Sequence, residues 1–167
     1  MKTLISVCGS DGDDQSLSEY AIKAAEEVGR LIAKRGGIVV CGGRGGIMRF
    51  VCKGAKLENG TTIGILPDNK HNSNEFIDIA IPTGIGHKRN FLVVSTGEAI
   101  IAICGRWGTL NEISFAAIFE KPVVLLKNTG GIVDDIINGN LINKYEFHIA
   151  DSAEDAVNKA FSLCDIC

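Results

Sequence analysis

No stretch of this 167-residue chain approaches the roughly 18 consecutive apolar residues that a membrane span requires, so a transmembrane helix is not expected. Only three prolines and no low-complexity run are present, which with 46% apolar and 22% charged residues excludes a disordered chain. A Gly-Lys dipeptide is missing altogether, which removes a Walker-type loop and with it the main support for an ATPase or GTPase. The dinucleotide fingerprint Gly-x-Gly-x-x-Gly is missing too: Gly84-Ile85-Gly86 starts one, but Arg89 stands at its sixth position. A basic excess is also lacking, with 17 basic against 20 acidic residues and a net charge of −3. A protein that neutralises many backbone phosphates carries a basic face, so nucleic-acid binding is not expected. His71, His87 and His148 are too scattered for a metal cluster.

Cysteine is the exception, with six. Cys8, Cys41, Cys52 and Cys104 sit in apolar runs, where a free thiol behaves as a small hydrophobe. Cys164 and Cys167 form the single Cys-x-x-Cys, without a second pair or a nearby His to make it a metal site. The opening residues run from a short apolar stretch into Ser10-Asp11-Gly12-Asp13-Asp14, which fits a first strand and a turn rather than a targeting segment, and a cytoplasmic protein is expected.

Short β-branched runs alternate with longer segments of helical period. That pattern predicts one α/β domain over residues 1–167, a Rossmann-like three-layer sandwich around a mostly parallel sheet of six or seven strands. Candidate strands are 3–8, 38–41, 61–66, 77–81, 99–104, 123–126 and 146–149. The first helix carries its apolar stripe on Leu17, Tyr20, Ala21, Ala24, Val28, Leu31 and Ile32; Ser16 with Glu19 reads as its capping box and Gly36-Gly37 as its left-handed stop. Ile47, Met48, Val51, Cys52 and Ala55 mark a second helix, and 132–138 a short one. Ala153, Ala156, Val157, Ala160, Phe161 and Cys164 mark a last one, with Asp151 and Glu154 spaced to cap it.

Two glycine turns follow buried strands and open helices. Gly42, Gly43, Gly45 and Gly46 surround Arg44 ahead of Ile47 and Met48, and Gly105-Arg106-Trp107-Gly108-Thr109 follows the apolar run 99–103. A turn of this kind offers backbone N–H groups and a helix N-terminus to an anion. In an open parallel sheet both turns lie at the carboxyl edge, where ligands bind. Four glycines in five residues exceed what a tight turn needs, which points to close approach of a ligand. Gly9 and Ser10, after the first strand, face the same edge, whereas Asp11, Asp13 and Asp14 read as a solvated acidic turn. Glu112 has two readings: a capping-box partner of Thr109, or a carboxylate kept ionised by the helix end beside a sugar. Arg89 is a helix-start arginine or a fork for phosphate. Trp107 stacks on a base or packs the turn.

Gly42-Gly43-Arg44-Gly45-Gly46-Ile47-Met48, Gly86-His87-Lys88-Arg89-Asn90 and Gly105-Arg106-Trp107-Gly108-Thr109-Leu110-Asn111-Glu112, in that order, resemble the Lonely Guy (LOG) superfamily, whose members have often carried the label lysine decarboxylase-like. The resemblance spans roughly residues 3–126 and implies a nucleotide-binding fold in a homodimer or homotetramer. In the hydrolase branch it implies a nucleoside 5′-monophosphate phosphoribohydrolase that cleaves the N-glycosidic bond, with Glu112 and Arg89 catalytic. Gly105, Gly108, Thr109 and Glu112 match its Pro-Gly-Gly-x-Gly-Thr-x-x-Glu signature, while Cys104 and Arg106 replace its Pro and its second Gly. The short chain and the Cys41-led turn are more similar to the molybdenum-cofactor carrier branch. The alternative implied is therefore a non-catalytic carrier of a nucleotide or a molybdopterin-type phosphate. On either reading Gly9, Ser10, residues 42–46, Met48 and residues 105–109 bind the ligand. No redox cofactor is required, and the bound molecule is AMP-like or the molybdenum cofactor.

Overall fold

The computed structural model describes residues 1–15, 17–139 and 145–164. Seven strands form one sheet in which every pair is parallel: β1 (Leu4–Gly9), β2 (Ile38–Cys41), β3 (Thr61–Leu66), β4 (Ile79–Pro82), β5 (Ala99–Ile103), β6 (Val123–Leu126) and β7 (His148–Ala150). The spatial order is β4-β3-β2-β1-β5-β6-β7. Six helices connect them: α1 (Glu19–Lys34), α2 (Gly46–Leu57), α3 (Asn90–Thr96), α4 (Trp107–Ile118), α5 (Gly131–Ile137) and α6 (Ala153–Cys164).

Alternation inside the apolar runs sorts the core into two layers, because successive strand side chains point to opposite faces. Ile5, Val7, Ile101, Ile103, Val124 and Leu126 pack with α1, α2 and α6. Cys8, Ile100, Ala102, Val123 and Leu125 pack on the other face with α3, α4 and α5. On α1 the buried stripe is Ala21, Ala24, Ala25, Val28 and Ile32, while Tyr20, expected on it, is exposed. Its approach to α2 is set by two reciprocal glycines. A Cβ on Gly29 would lie 1.8 Å from the Val51 carbonyl oxygen, and one on Gly54 1.7 Å from that of Glu26.

The helix caps depart from expectation by one or two residues. Ser18 caps α1, its hydroxyl accepting from the Ala21 amide, while Ser16 lies outside the described residues. Ser152 and Asp155, not Asp151 and Glu154, form the reciprocal cap of α6: the Asp155 amide donates to Ser152 Oγ and the Asp151 amide to Asp155 Oδ2. Both pairs have the right spacing, and packing of Ala153 and Ala156 against the sheet selects the register. The stop after α1 is as expected, with Gly36 at φ 77° and the Gly37 amide donating to the Ile32 carbonyl. β4 begins at Ile79 rather than 77, because residues 74–77 form a turn closed by the Ile77 amide on the Asn74 carbonyl. Cys8, Cys41, Cys52, Cys104 and Cys164 are free thiols, whereas Cys167 is outside the described residues. Among the described residues no group of His, Cys, Asp and Glu could hold a metal ion, and no helix is long and apolar enough to cross a membrane.

Candidate functional site

Strand order reverses between β1 and β5, so the loops that follow them diverge and leave a crevice at the carboxyl edge of the sheet. A cavity of about 280 Å³ opens there. The end of β1 and the loop after it contribute Gly9, Ser10, Asp11 and Asp13; the turn after β2 and the start of α2 contribute Arg44 and Met48. A 3-10 turn at Gly86–Arg89 supplies His87 and Arg89, followed by Asn90, and the start of α4 supplies Arg106, Gly108, Thr109 and Glu112. Gly42, Gly43, Gly45, Gly46, Gly105 and Trp107 lie outside this lining.

The chain leaves β5 through two left-handed residues, Cys104 at φ 57° and Gly105 at φ 99°. A non-glycine residue rarely adopts that conformation, and here it is held by a buried network. The Cys104 amide donates to Thr129 Oγ1 at 2.8 Å, Thr129 Oγ1 donates to the Leu126 carbonyl at 2.7 Å, and the Gly105 amide donates to Ser10 Oγ at 3.0 Å. A Cβ on Gly105 would lie 2.4 Å from Thr109 Cβ, so glycine is required for space as well as for φ. Arg106 then takes the N-cap position of α4 and makes no side-chain capping bond. The first helical bond back to it is from Leu110. The preceding amides, those of Trp107, Gly108 and Thr109, therefore open α4 without a capping side chain, as an anion site needs. Thr109 and Glu112 both lie inside the helix, which rules out the capping-box reading of that pair.

The β2 turn is built differently. The Gly45 amide donates to Asp11 Oδ1 at 3.1 Å and the Ile47 amide to the Ser10 carbonyl at 2.9 Å, so these groups are engaged by the loop after β1. Gly42 lies under the Arg89 guanidinium, where a Cβ would come within 2.4 Å of Nη2. Close packing against the protein itself explains the density of glycine here. Trp107, 83% exposed, packs nothing in the turn.

Arg89 and Glu112 meet at the cavity floor, Nη1 to Oε1 at 3.4 Å, each only 6% exposed. Arg89 Nη1 also donates to Asn90 Oδ1, and Asn90 Nδ2 to Asn111 Oδ1 at 3.0 Å. Arg89 Nε has no partner among the described residues. A buried guanidinium nitrogen left unsatisfied is costly, and Arg89 is one of the residues that line the cavity. Burial pushes the Glu112 carboxyl up to about 7, against the opposing pull of the Arg89 charge and of the Cys8 thiol. This corrects the expectation that the helix end keeps it ionised: Glu112 is the sixth residue of α4, beyond the first turn in which the dipole acts.

Of the three acidic residues expected in a solvated turn only Asp13 is exposed, and all three face arginines. Asp11 pairs with Arg44 at 3.3 Å, Asp13 with Arg106, and Asp14, itself buried, lies 3.6 Å from Arg106 Nε. Asn90, Cys8 and Thr129 also belong to the site or its support. No spacing rule singles them out; only Asn90, one residue after Arg89, had a positional hint.

Residues 2–157 match the profile of the SLOG cluster4 family. Among solved structures, the chain is similar to the molybdenum cofactor binding protein of Rippkaea orientalis, at 37% identity over 98% of both chains with a TM-score of 0.85. The Moco carrier protein of Chlamydomonas reinhardtii is 32% identical over 100% of both chains, with a TM-score of 0.86. More distantly, a probable cytokinin riboside 5′-monophosphate phosphoribohydrolase of Oryza sativa subsp. japonica is 28% identical over 93% of this chain and 74% of its own length.

Proposed function

The chain belongs to the SLOG cluster4 family, and on that premise we propose that it is a binding and carrier protein for a small phosphate-bearing ligand, of nucleotide or molybdopterin type. One observation carries the reading. The uncapped start of α4 and the buried Arg89, whose Nε has no partner among the described residues, line the same cavity, so main-chain amides and a guanidinium are arranged for one anion. Arg106, at the N-cap, adds a second cation beside those amides, which favours holding an anion. The similarity to cofactor-binding proteins over nearly the whole chain supports the same reading. The molybdenum cofactor would here be cargo, bound through its phosphate by the amides of residues 107–109 and by Arg89.

A second reading, hydrolysis of the N-glycosidic bond of a nucleoside 5′-monophosphate, is favoured by the convergence of Arg89 and Glu112. In that reaction the C1′–N bond breaks, water gives its hydroxyl to C1′ and a proton to the departing base, and Glu112 would orient the water. Incubation with AMP, GMP, CMP and IMP, followed both by equilibrium binding and by chromatography for free base, separates the two. Saturable binding without base release is the expected result. Base release that disappears in Glu112→Gln would establish the hydrolase instead.

Self-association is part of the proposal. α4 exposes Trp107 and Ile118, the latter 71% exposed, beside the ring cluster of Phe91, Phe115 and Phe119, and its one charged residue, Glu112, is buried. An uncharged apolar helix face of this kind supports a homo-oligomer.

A further inference from the structure

Both acidic side chains at the cavity mouth are paired with arginines of the two glycine turns, but they are held in different ways. Asp11 is pinned: its Oδ1 accepts from the amides of Gly12 at 2.7 Å and Gly45 at 3.1 Å, and its other oxygen faces Arg44. It belongs to the architecture of the turn. Asp13 is 77% exposed at its side chain and reaches to the guanidinium of Arg106, which is half exposed. Arg106 is the N-cap of α4, next to the amides that would receive an anion. That guanidinium is therefore turned to the acidic loop.

We propose that Asp13 is an internal competitor for the ligand's anionic group, and thereby a residue that sets the charge selectivity of the site. With buried Asp14, 3.6 Å from Arg106 Nε, it holds Arg106 until a phosphate dianion takes the place of Asp13. The inference rests on the anion-site reading given above. An exposed pair shifts an equilibrium by no more than about fivefold, so the contact is weak enough for a ligand to displace. Displacement is favourable only when the incoming group also gains the α4 amides and Arg89. A phosphate dianion, with several acceptor oxygens, meets that condition; a monoanion of similar size recovers less. The carboxylate thus raises the threshold that an anion must pass, and does so without touching the ligand.

The test is a double-mutant cycle read with inorganic phosphate, as the dianion, by NMR titration, which follows weak as well as tight binding. The four proteins are wild type, Asp13→Asn, Arg106→Ala and the double variant. Both side chains are half exposed or more, so the variants are expected to fold, and thermal melts check this. Asp13→Asn should tighten phosphate about three- to fivefold, and the same change in the Arg106→Ala background should have no effect. Weaker binding in Asp13→Asn would mean that Asp13 positions Arg106 for the ligand, and would overturn the proposal. Equal tightening with and without Arg106 would also overturn it, as a general field effect. Phosphate binding that Asp13→Asn leaves unchanged defeats the competitor alone; no binding by any of the four proteins defeats the anion site as well.

Discussion

Arg89 Nη1 lies 3.4 Å from Glu112 Oε1 at the floor of the cavity, two ionisable groups brought together from the Gly86–Arg89 turn and α4 and each almost closed to water. The pair is asymmetric in its dependence on protons, because burial pushes the Glu112 carboxyl up to about 7 even with the arginine beside it.

Stability should therefore fall as pH rises through the neutral range. A carboxyl whose folded pKa exceeds its unfolded value contributes fully below the unfolded pKa, and that contribution is lost as pH rises through the folded one. The shifted carboxylates of Glu27, Glu75, Asp78 and Asp155 move downward and are already ionised above about pH 5. Between about pH 5 and about pH 8 wild type should lose about 2 to 3 kcal/mol through Glu112. Denaturant unfolding of Glu112→Gln should show a flatter profile across that window, whatever the offset between the proteins. Parallel profiles would refute the assignment.

Two glycines at the start of α4 should respond oppositely to alanine. Gly105 is at φ 99°, and its Cβ would meet Thr109 at 2.4 Å; Gly108 has open space at its Cβ and lies in the first turn of α4. Gly105→Ala should destabilise by about 1–3 kcal/mol and abolish phosphate binding, while Gly108→Ala should stabilise by about 0.5–1 kcal/mol. Unfolding curves together with phosphate titrations check both.

The α1 and α2 crossing depends on the absence of two side chains. Gly29→Ala places a Cβ 1.8 Å from the Val51 carbonyl oxygen and so must push the helices apart. A loss of about 1–3 kcal/mol is expected, by overpacking rather than by helix propensity, which alone would favour alanine. A stabilised variant in thermal or denaturant unfolding would contradict the crossing.

Ile118→Asp should reduce the assembly without unfolding the subunit, since Ile118 is 71% exposed and lies outside the core. Light scattering after size exclusion should report a smaller mass than wild type, with circular dichroism unchanged. A wild type that is already monomeric would remove the proposed role of this face.

How much of this was legible depends on the range of the interactions concerned. β2 and β6 have the boundaries their apolar runs imply, because strands buried on both faces are marked by continuous hydrophobicity. Gly36 stops α1 as expected, since a left-handed residue is a local requirement. Ser18 and Ser152 are not singled out by the sequence, because pairs one or two residues apart satisfy the same capping pattern. The pairing of exposed Asp13 with Arg106 carried no local signal, because the two are 93 residues apart. Gly29 and Gly54 carried no local signal at all, since only the partner backbone explains them.

The sequence by itself determined the layered parallel sheet and the placement of both glycine turns at its carboxyl edge, and its resemblance to the LOG superfamily singled out Arg89 and Glu112. These follow from periodicity, from backbone chemistry and from motif spacing, all readable along one dimension. Tertiary structure alone decided that the β2 turn spends its Gly45 amide on Asp11 while α4 keeps its own amides open, and that Glu112 titrates near neutrality. Each of these is settled by what lies within a few ångströms across the fold, because burial and hydrogen-bond competition depend on neighbours in space and not on order in the chain.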